Sequence, residues 1–419
     1  FKYFFCQREA IETLIYLYEV KKAFKFKDLK PYFTDKSKVE QISLELFRKD
    51  NEINQKESKN SFPKYCFKMA TGSGKTKVMS LAIAWAYLNS YCSNFLIIAP
   101  NVIVFERLKE DFESGKIFYT DPVIPEELKS DFQLNYILRG DEPTNIRENC
   151  LILLNVDQIR DRQEESAELS FGLGFLTPKP NLKIEINDET YFNAIKKLNS
   201  LLIINDEAHH VHDEELAWSR KISEINESIK QNNSKGIMAQ LDFSATPRYQ
   251  AGGGLFKHII VDYPLADAID SGIVKRVIIG DVSKDKENKK EDKITKRYRA
   301  WLEAGIARLR EYRELYSKQG KKPVLFVMTE DTKKAEEVSE YLEKIPDLKV
   351  LTIHSDRFNN VAKKEEDKIR EAARNIDTNE YNTIVSVMML KEGWDVKNVC
   401  VIVGLRAYSS KANILPEQT

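Results

Sequence analysis

Two tandem doubly wound α/β domains, each on a parallel sheet, behind a helical N-terminal extension: this is the fold class the sequence predicts. Three observations carry the prediction. Short apolar runs of about four to seven residues recur without polar alternation, as in strands buried on both faces. Helical stretches alternate with these runs, the pattern that builds parallel sheets. An almost wholly charged stretch, Ser283–Lys293, divides the series in two.

Residues 1–61 read as the helical extension. From Gln7 to Val20, Ala10, Ile11, Leu14, Ile15 and Leu17 share one apolar face. Asp50 to Ser61 is polar and charged, which predicts an exposed loop. Residues 62–272 form the first α/β domain, with strands expected at Tyr65–Met69, Phe95–Ala99, Cys150–Leu154, Leu201–Asn205 and Ile237–Phe243. Residues 273–419 begin with the charged linker and a long helix over Ile294–Lys318. They continue with strands at Val324–Met328, Lys349–Ile353, Thr383–Val387 and Val399–Val403. Two similar α/β halves are what a duplicated nucleotide-binding fold leaves.

Composition narrows the function. The 65 Lys+Arg are balanced by 65 Asp+Glu, and 42% of residues are hydrophobic. A wholly basic protein that coats nucleic acid by bulk charge is excluded, as is an acidic disordered chain. No apolar run approaches the roughly 18 residues of a membrane helix, and no secretory signal opens the sequence. The five cysteines are scattered without a paired spacing, so reduced thiols in a cytoplasmic protein are expected. The chain opens at Phe1 rather than Met, as a piece trimmed from a longer protein does.

Residues Met69–Thr76 read Met-Ala-Thr-Gly-Ser-Gly-Lys-Thr, after a predicted strand and at the start of a predicted helix. This is a Walker A loop in its required context, with Met69 where the pattern's first glycine stands. Thr71, Gly72, Ser73 and Gly74 let backbone amides turn towards phosphate oxygens at a helix N-terminus. Lys75 is placed to reach the β- and γ-phosphates of ATP, and Thr76 to ligate Mg²⁺. Asp206-Glu207-Ala208-His209 follows the apolar run Leu201–Asn205. A carboxylate at the carboxyl end of a buried strand facing a phosphate loop suits a Mg²⁺ ligand, here Asp206, with Glu207 polarising the attacking water. His209, His210 and His212 could also be read as a metal cluster, but no distant ligand group completes a tetrahedral site, so a polar turn is expected. Ser244-Ala245-Thr246 closes the Ile237–Phe243 strand, and its hydroxyls can bond the acidic motif.

The ordered set of Walker A loop, Asp-Glu-Ala-His and Ser-Ala-Thr resembles superfamily 2 helicases and translocases of the DExH type. The wording Phe5-Cys6-Gln7-Arg8-Glu9-Ala10, Lys68-Met69-Ala70-Thr71-Gly72 and Leu390-Lys391-Glu392-Gly393-Trp394-Asp395 is most similar to the restriction subunit of type III restriction-modification enzymes. The resemblance implies two RecA-like domains and an ATP-dependent DNA motor, with a methyltransferase or specificity subunit as partner. It assigns Gln7 to adenine recognition, and His209, Ser244 and Thr246 to coupling between phosphate state and partner domain. Gly393 and Asp395 fall at the position of motif V, for close backbone approach and the ribose hydroxyls. Pro100 and Asn101, Asn155, Thr329 and His354 resemble nucleic-acid contacts at strand ends. Few base-edge readers occur, so backbone binding with little sequence preference is expected.

In the family, a Gln-Thr like Gln418-Thr419 opens motif VI, whose arginines stabilise the transferring phosphate. The second domain is therefore expected to be incomplete. This piece should bind ATP yet hydrolyse it poorly, since such an arginine is worth roughly 10³–10⁵ in rate. Asp121, Glu127 and Lys129 superficially fit a metal-nuclease pattern but lie in a Pro-rich turn region, so a nuclease is not expected within these residues. Two rival readings share the same motifs. One is a DExH RNA helicase, the other an ATP-gated nucleic-acid clamp that holds partners without processive motion.

Overall fold

The computed structural model describes residues 3–33, 62–100, 102–120, 123–138, 140–155, 188–211, 215–231, 235–248, 255–276, 278–280, 291–353, 378–387 and 398–405. Within its helices, the side chains at 102–103, 188–190, 210–211 and 215–220 are outside this set. The chain divides into two compact units, Phe1–Arg276 and Val277–Thr419. The division falls four residues past the expected domain boundary at 272/273.

The first unit is built on a seven-stranded sheet. Its strands are β1 (Lys64–Met69), β2 (Phe95–Ala99), β3 (Asn135–Leu138), β4 (Cys150–Asn155), β5 (Ser200–Asn205), β6 (Gly236–Ser244) and β7 (Ile259–Tyr263). They lie in the order β3-β4-β2-β5-β6-β1-β7, and every pairing is parallel. The five strands expected from apolar runs are all present. The two edge strands, β3 and β7, were not expected.

Successive strand side chains point to opposite faces, and the packing shows both faces covered. On β2, Ile97 joins one core with Leu153 and Ile204, while Ile98 joins the other with Ile152 and Ile203. This is why the central strands lack polar alternation. Helices α1 (Phe5–Ile15), α2 (Phe26–Phe33), α3 (Lys75–Leu88), α4 (Val102–Phe112) and α5 (Lys116–Thr120) come before β3. After β4 come α6 (Asp188–Ile195), α7 (Ala208–Val211), α8 (Glu215–Gln231) and α9 (Leu265–Asp270). Val78, Met79, Ala82 and Ile83 of α3 have no exposed surface, because the helix lies between the sheet and α1.

The N-terminal helices belong to this unit rather than standing apart from it. α1 packs on α3 and β7, and Cys6, Ala10, Leu14, Leu17, Ala23 and Leu29 share the core of β1. Tyr65 Oη donates to the Ala23 carbonyl at 3.0 Å. The helix expected from Gln7 to Val20 ends as α1 at Ile15 and widens into one π-helical turn, Tyr16–Val20. Ile11 and Ile15, expected on the buried face, are only partly buried, while Leu14 and Leu17 take the interior.

The second unit carries a four-stranded parallel sheet, in the order β11-β8-β10-β9, from β8 (Val324–Thr329), β9 (Val350–Ile353), β10 (Thr383–Val387) and β11 (Val399–Gly404). The long helix expected over Ile294–Lys318 is two helices, α10 (Ile294–Arg297) and α11 (Arg299–Ser317). They break at Tyr298, whose φ of −110° and ψ of 27° leave the helical region. Helix α12 (Thr332–Glu343) is capped by Asp331, whose carboxylate accepts from the Lys334 amide at 2.9 Å. Two parallel α/β sheets, each flanked by helices, make the expected RecA-like class the fold of this protein.

Candidate nucleotide site

The three motifs converge because their strands are neighbours. β5, β6 and β1 are consecutive in the sheet and parallel, so the segments after them emerge at one edge. That carboxyl edge is where open α/β sheets bind ligands. The Walker A loop follows β1, Asp206 and Glu207 follow β5, and Ser244 ends β6.

The loop bends through Gly72 (φ 81°) and Gly74 (φ 88°), conformations that side chains seldom adopt. A Cβ on Gly74 would stand 2.2 Å from Gln7 Nε2, so this position also has no room for one. Ser73 folds inward, its hydroxyl donating to the Ala70 carbonyl at 2.7 Å. Helix α3 starts at Lys75, and the first amides of any helix lack intrahelical acceptors. They and the helix dipole form an anion site.

Gln7 reaches this loop from α1. Its Nε2 donates to the Ser73 carbonyl at 3.1 Å, and its Oε1 accepts from the Phe4 amide at 3.1 Å. The intervening sequence between Gln7 and the loop therefore does not separate them in space. With one N–H and one lone pair still available, the amide keeps the donor and acceptor that adenine recognition uses.

Two ion pairs dominate the site, one buried and one partly buried. Lys75 Nζ lies 2.6 Å from Glu207 Oε1, with side-chain exposures of 6% and 11%. Arg107 of α4 bonds Asp206, which has no exposed surface. The two carboxyls are driven apart. Burial pushes Asp206 up from its ordinary value, and Arg107 only partly offsets it. Burial acts upward on Glu207 too, but the Lys75 ammonium beside it holds that carboxyl below its ordinary value. Separation of this kind between adjacent acids is how sites assign them different roles. Glu207 also adopts a left-handed backbone (φ 44°), unusual for a side-chain-bearing residue and typical of functional turns.

His209 connects the acids to β6. Its Nδ1 is 2.9 Å from Ser244 Oγ and 3.7 Å from Glu207 Oε2. Ser244 Oγ accepts from the Thr246 amide at 3.0 Å, so the expected coupling residues form one chain. Below them, Asn205 Nδ2 donates to Asp242 Oδ1 at 2.6 Å, and Gln240 Nε2 donates to the same carboxylate at 3.0 Å.

A hydrated Mg²⁺ fits these residues. Asp206 Oδ1 is buried without a hydrogen-bond partner, and an orphaned carboxylate oxygen beside a phosphate loop is a hard ligand suited to that ion. No group of three or more histidine, cysteine or acidic side chains that could hold a metal occurs among the described residues, and the side chains of His210 and His212 lie outside them.

Two expected nucleic-acid contacts need correction. Asn155 and Thr329 both have 0% exposure, so neither side chain offers surface to a strand. Each is the buried last residue of its strand, and Thr329 Oγ1 bonds the Asp331 carbonyl at 3.2 Å instead. Pro100 is partly exposed at the end of β2. Asn101, His354, Gly393 and Asp395 lie outside the described residues, as does Asp121. Lys129 pairs with Glu126 beside a single helical turn, away from any paired strands. Arg107 was missed by sequence reasoning, since one arginine on an amphipathic helix carries no signal. All five cysteines are free, and no described helix is long and apolar enough to cross a membrane.

Residues 2–249 match the family model described as type III restriction enzyme, res subunit. The chain belongs to that family. The match supports a helicase-type nucleic-acid ATPase motor. No curated protein matches the sequence significantly. Solved structures with similar folds include S. cerevisiae Dbp5 bound to RNA and ADP BeF3, at 12% identity and a TM-score of 0.40, covering 83% of this chain and 71% of that one. The Pyrococcus furiosus Hef helicase domain is 14% identical with a TM-score of 0.37, covering 82% and 87%. The Sulfolobus solfataricus SWI2/SNF2 ATPase core in complex with dsDNA is 13% identical with a TM-score of 0.27, covering 77% and 74%. At these scores family membership rests on the first match alone.

Proposed function

We propose that this protein is the ATP-dependent DNA translocase module of a type III restriction enzyme, coupling hydrolysis of Mg·ATP to movement along the duplex. The observation that carries the reading is the pair of cation–carboxylate contacts, Lys75–Glu207 and Arg107–Asp206, set around a glycine loop at the carboxyl edge of β1, β5 and β6. Lys75 binds the β- and γ-phosphates, and Thr76 and Asp206 would hold the Mg²⁺ ion, which would neutralise charge on those phosphates. Glu207, kept ionised by its neighbours, accepts a proton from the attacking water. Gln7 reads adenine while bracing the loop, and His209, Ser244 and Thr246 carry the phosphate state onward. DNA is gripped through its backbone, at sites that include Pro100, Asn101 and His354, so zero net charge is no obstacle: local positive potential suffices. A methyltransferase subunit supplies sequence choice, and the free thiols suit a cytoplasmic setting.

The test is displacement of a third strand from a DNA triplex at a distance from the loading site, together with ATPase stimulation by duplex DNA and by single-stranded RNA. Stimulation by duplex DNA with displacement is expected. Stimulation by RNA alone would make the protein an RNA helicase, and ATP-dependent DNA binding without displacement would make it a clamp.

A further inference from the structure

Arg107 enters the site from α4, and the roles given above leave it without one. Its Nη2 bonds Asp206 Oδ2, and its side chain is 28% exposed against 0% for the carboxylate. The pair is incompletely satisfied: Arg107 Nε and Asp206 Oδ1 are both buried with no hydrogen-bond partner. A buried pair repays its desolvation only when the remaining donors and acceptors are bonded too. As a permanent brace this contact is therefore poor; as one exchanged for another ligand it is well placed. Arg107 can meet a carboxylate with two parallel N–H bonds, but only one is made here.

We propose that Arg107 is a positioning residue of the magnesium site, whose guanidinium holds Asp206 until Mg·ATP binds and competes with the hydrated ion for that carboxylate. The inference rests on the nucleotide-site reading above. Arg107 holds Oδ2 and the ion would take the free Oδ1 of the same carboxylate, and both held there together would repel each other across a few ångströms of low-dielectric interior. The metal affinity of the site is thereby set partly by α4, which begins just past Pro100.

Wild type, Arg107→Gln and Arg107→Lys are compared in two measurements: Mg²⁺ titration of fluorescent-ATP binding, and melting with Mg²⁺ alone. Arg107→Gln should reach half-saturation at about tenfold lower Mg²⁺, as expected when a charge-assisted competitor is removed. Without Mg²⁺ it should melt below wild type, and it should gain more than wild type from added Mg²⁺. Arg107→Lys, a point charge without the planar fork, should fall between. An unchanged or raised Mg²⁺ requirement in both variants overturns the proposal and leaves Arg107 a structural contact. If Arg107→Gln does not fold, Arg107→Lys decides on the same readout. Wild-type protein that binds no nucleotide would instead overturn the site reading, and this inference with it.

Discussion

Replacing Lys75 by Ala removes the cation from a carboxylate that is 9% exposed. Leaving one member of a buried pair uncompensated costs about 3–5 kcal/mol. For a unit of this size, that corresponds to a melting point lower by about 5–9 °C. The carboxylate has an escape, because it can take a proton. In wild type, Glu207 has its folded value held below the ordinary 4.5, so its contribution is fully present above pH 4.5 and is lost only on going lower. In Lys75→Ala, burial is the largest remaining influence and the folded value rises. The charged form is then penalised, and the deficit grows with pH above 4.5. Protonation caps that deficit at about 1.4 kcal/mol per pH unit above the unfolded value. At pH 5.5 the cap is about 1.4 kcal/mol, or roughly 2–3 °C, whereas at pH 8 the full cost can develop. Thermal unfolding of wild type and Lys75→Ala, followed by circular dichroism at both pH values, measures this directly. Adding Glu207→Gln to Lys75→Ala should remove most of the pH dependence. Equal deficits at pH 5.5 and pH 8, or no deficit at either, would refute the reasoning that Glu207 is held ionised by Lys75.

Other outcomes follow from single contacts. Gln7→Ala removes the hydrogen bond to the Ser73 carbonyl, so stability should fall by about 1 kcal/mol and calorimetry should show ATP binding several-fold weaker. Gly74→Ala combines a φ of 88° with a Cβ 2.2 Å from Gln7 Nε2; nucleotide binding should be lost in the same titration even where the protein stays folded. In the second unit, Asp347 is held down to about 2, chiefly by its hydrogen bonds from Arg310. Its contribution is present above the ordinary carboxylate value and fades as pH falls towards 2. Urea midpoints of wild type and Asp347→Asn should therefore differ at pH 7 and converge on acidification, by a modest amount because the pair is partly exposed.

The sequence disclosed elements according to how deeply they are buried. β2, β4 and β5 are covered on both faces, so their apolar runs mark them within a residue or so. β3 and β7 lie at the sheet edges, where Asn135 and Asp262 are exposed and the runs are broken by polar residues; an apolar-run criterion passes over them. The loop and acidic motifs were legible because phosphate chemistry restricts both residue type and spacing, and Lys75 and Glu207, far apart in sequence, pair at one sheet edge. Gln7 was legible only through the resemblance, since its place on the loop depends on α1 packing against α3. Asn155 and Thr329 show the opposite failure. A polar residue at a strand end reads as a contact in one dimension, yet packing closes over both. Arg107 could not be found, because what singles it out is a partner far along the chain, in the turn that follows β5.

The central claim is that the edge of β1, β5 and β6 binds Mg·ATP through Lys75 and the Asp206–Glu207 pair. Equilibrium titration of ATP into wild type and Lys75→Ala, each with Mg²⁺ and with EDTA, tests it most directly. Wild type should bind ATP more tightly with Mg²⁺ than with EDTA, and Lys75→Ala should lose that binding while remaining folded at pH 5.5. Equal binding by the two proteins, or wild-type binding indifferent to Mg²⁺, would contradict the account.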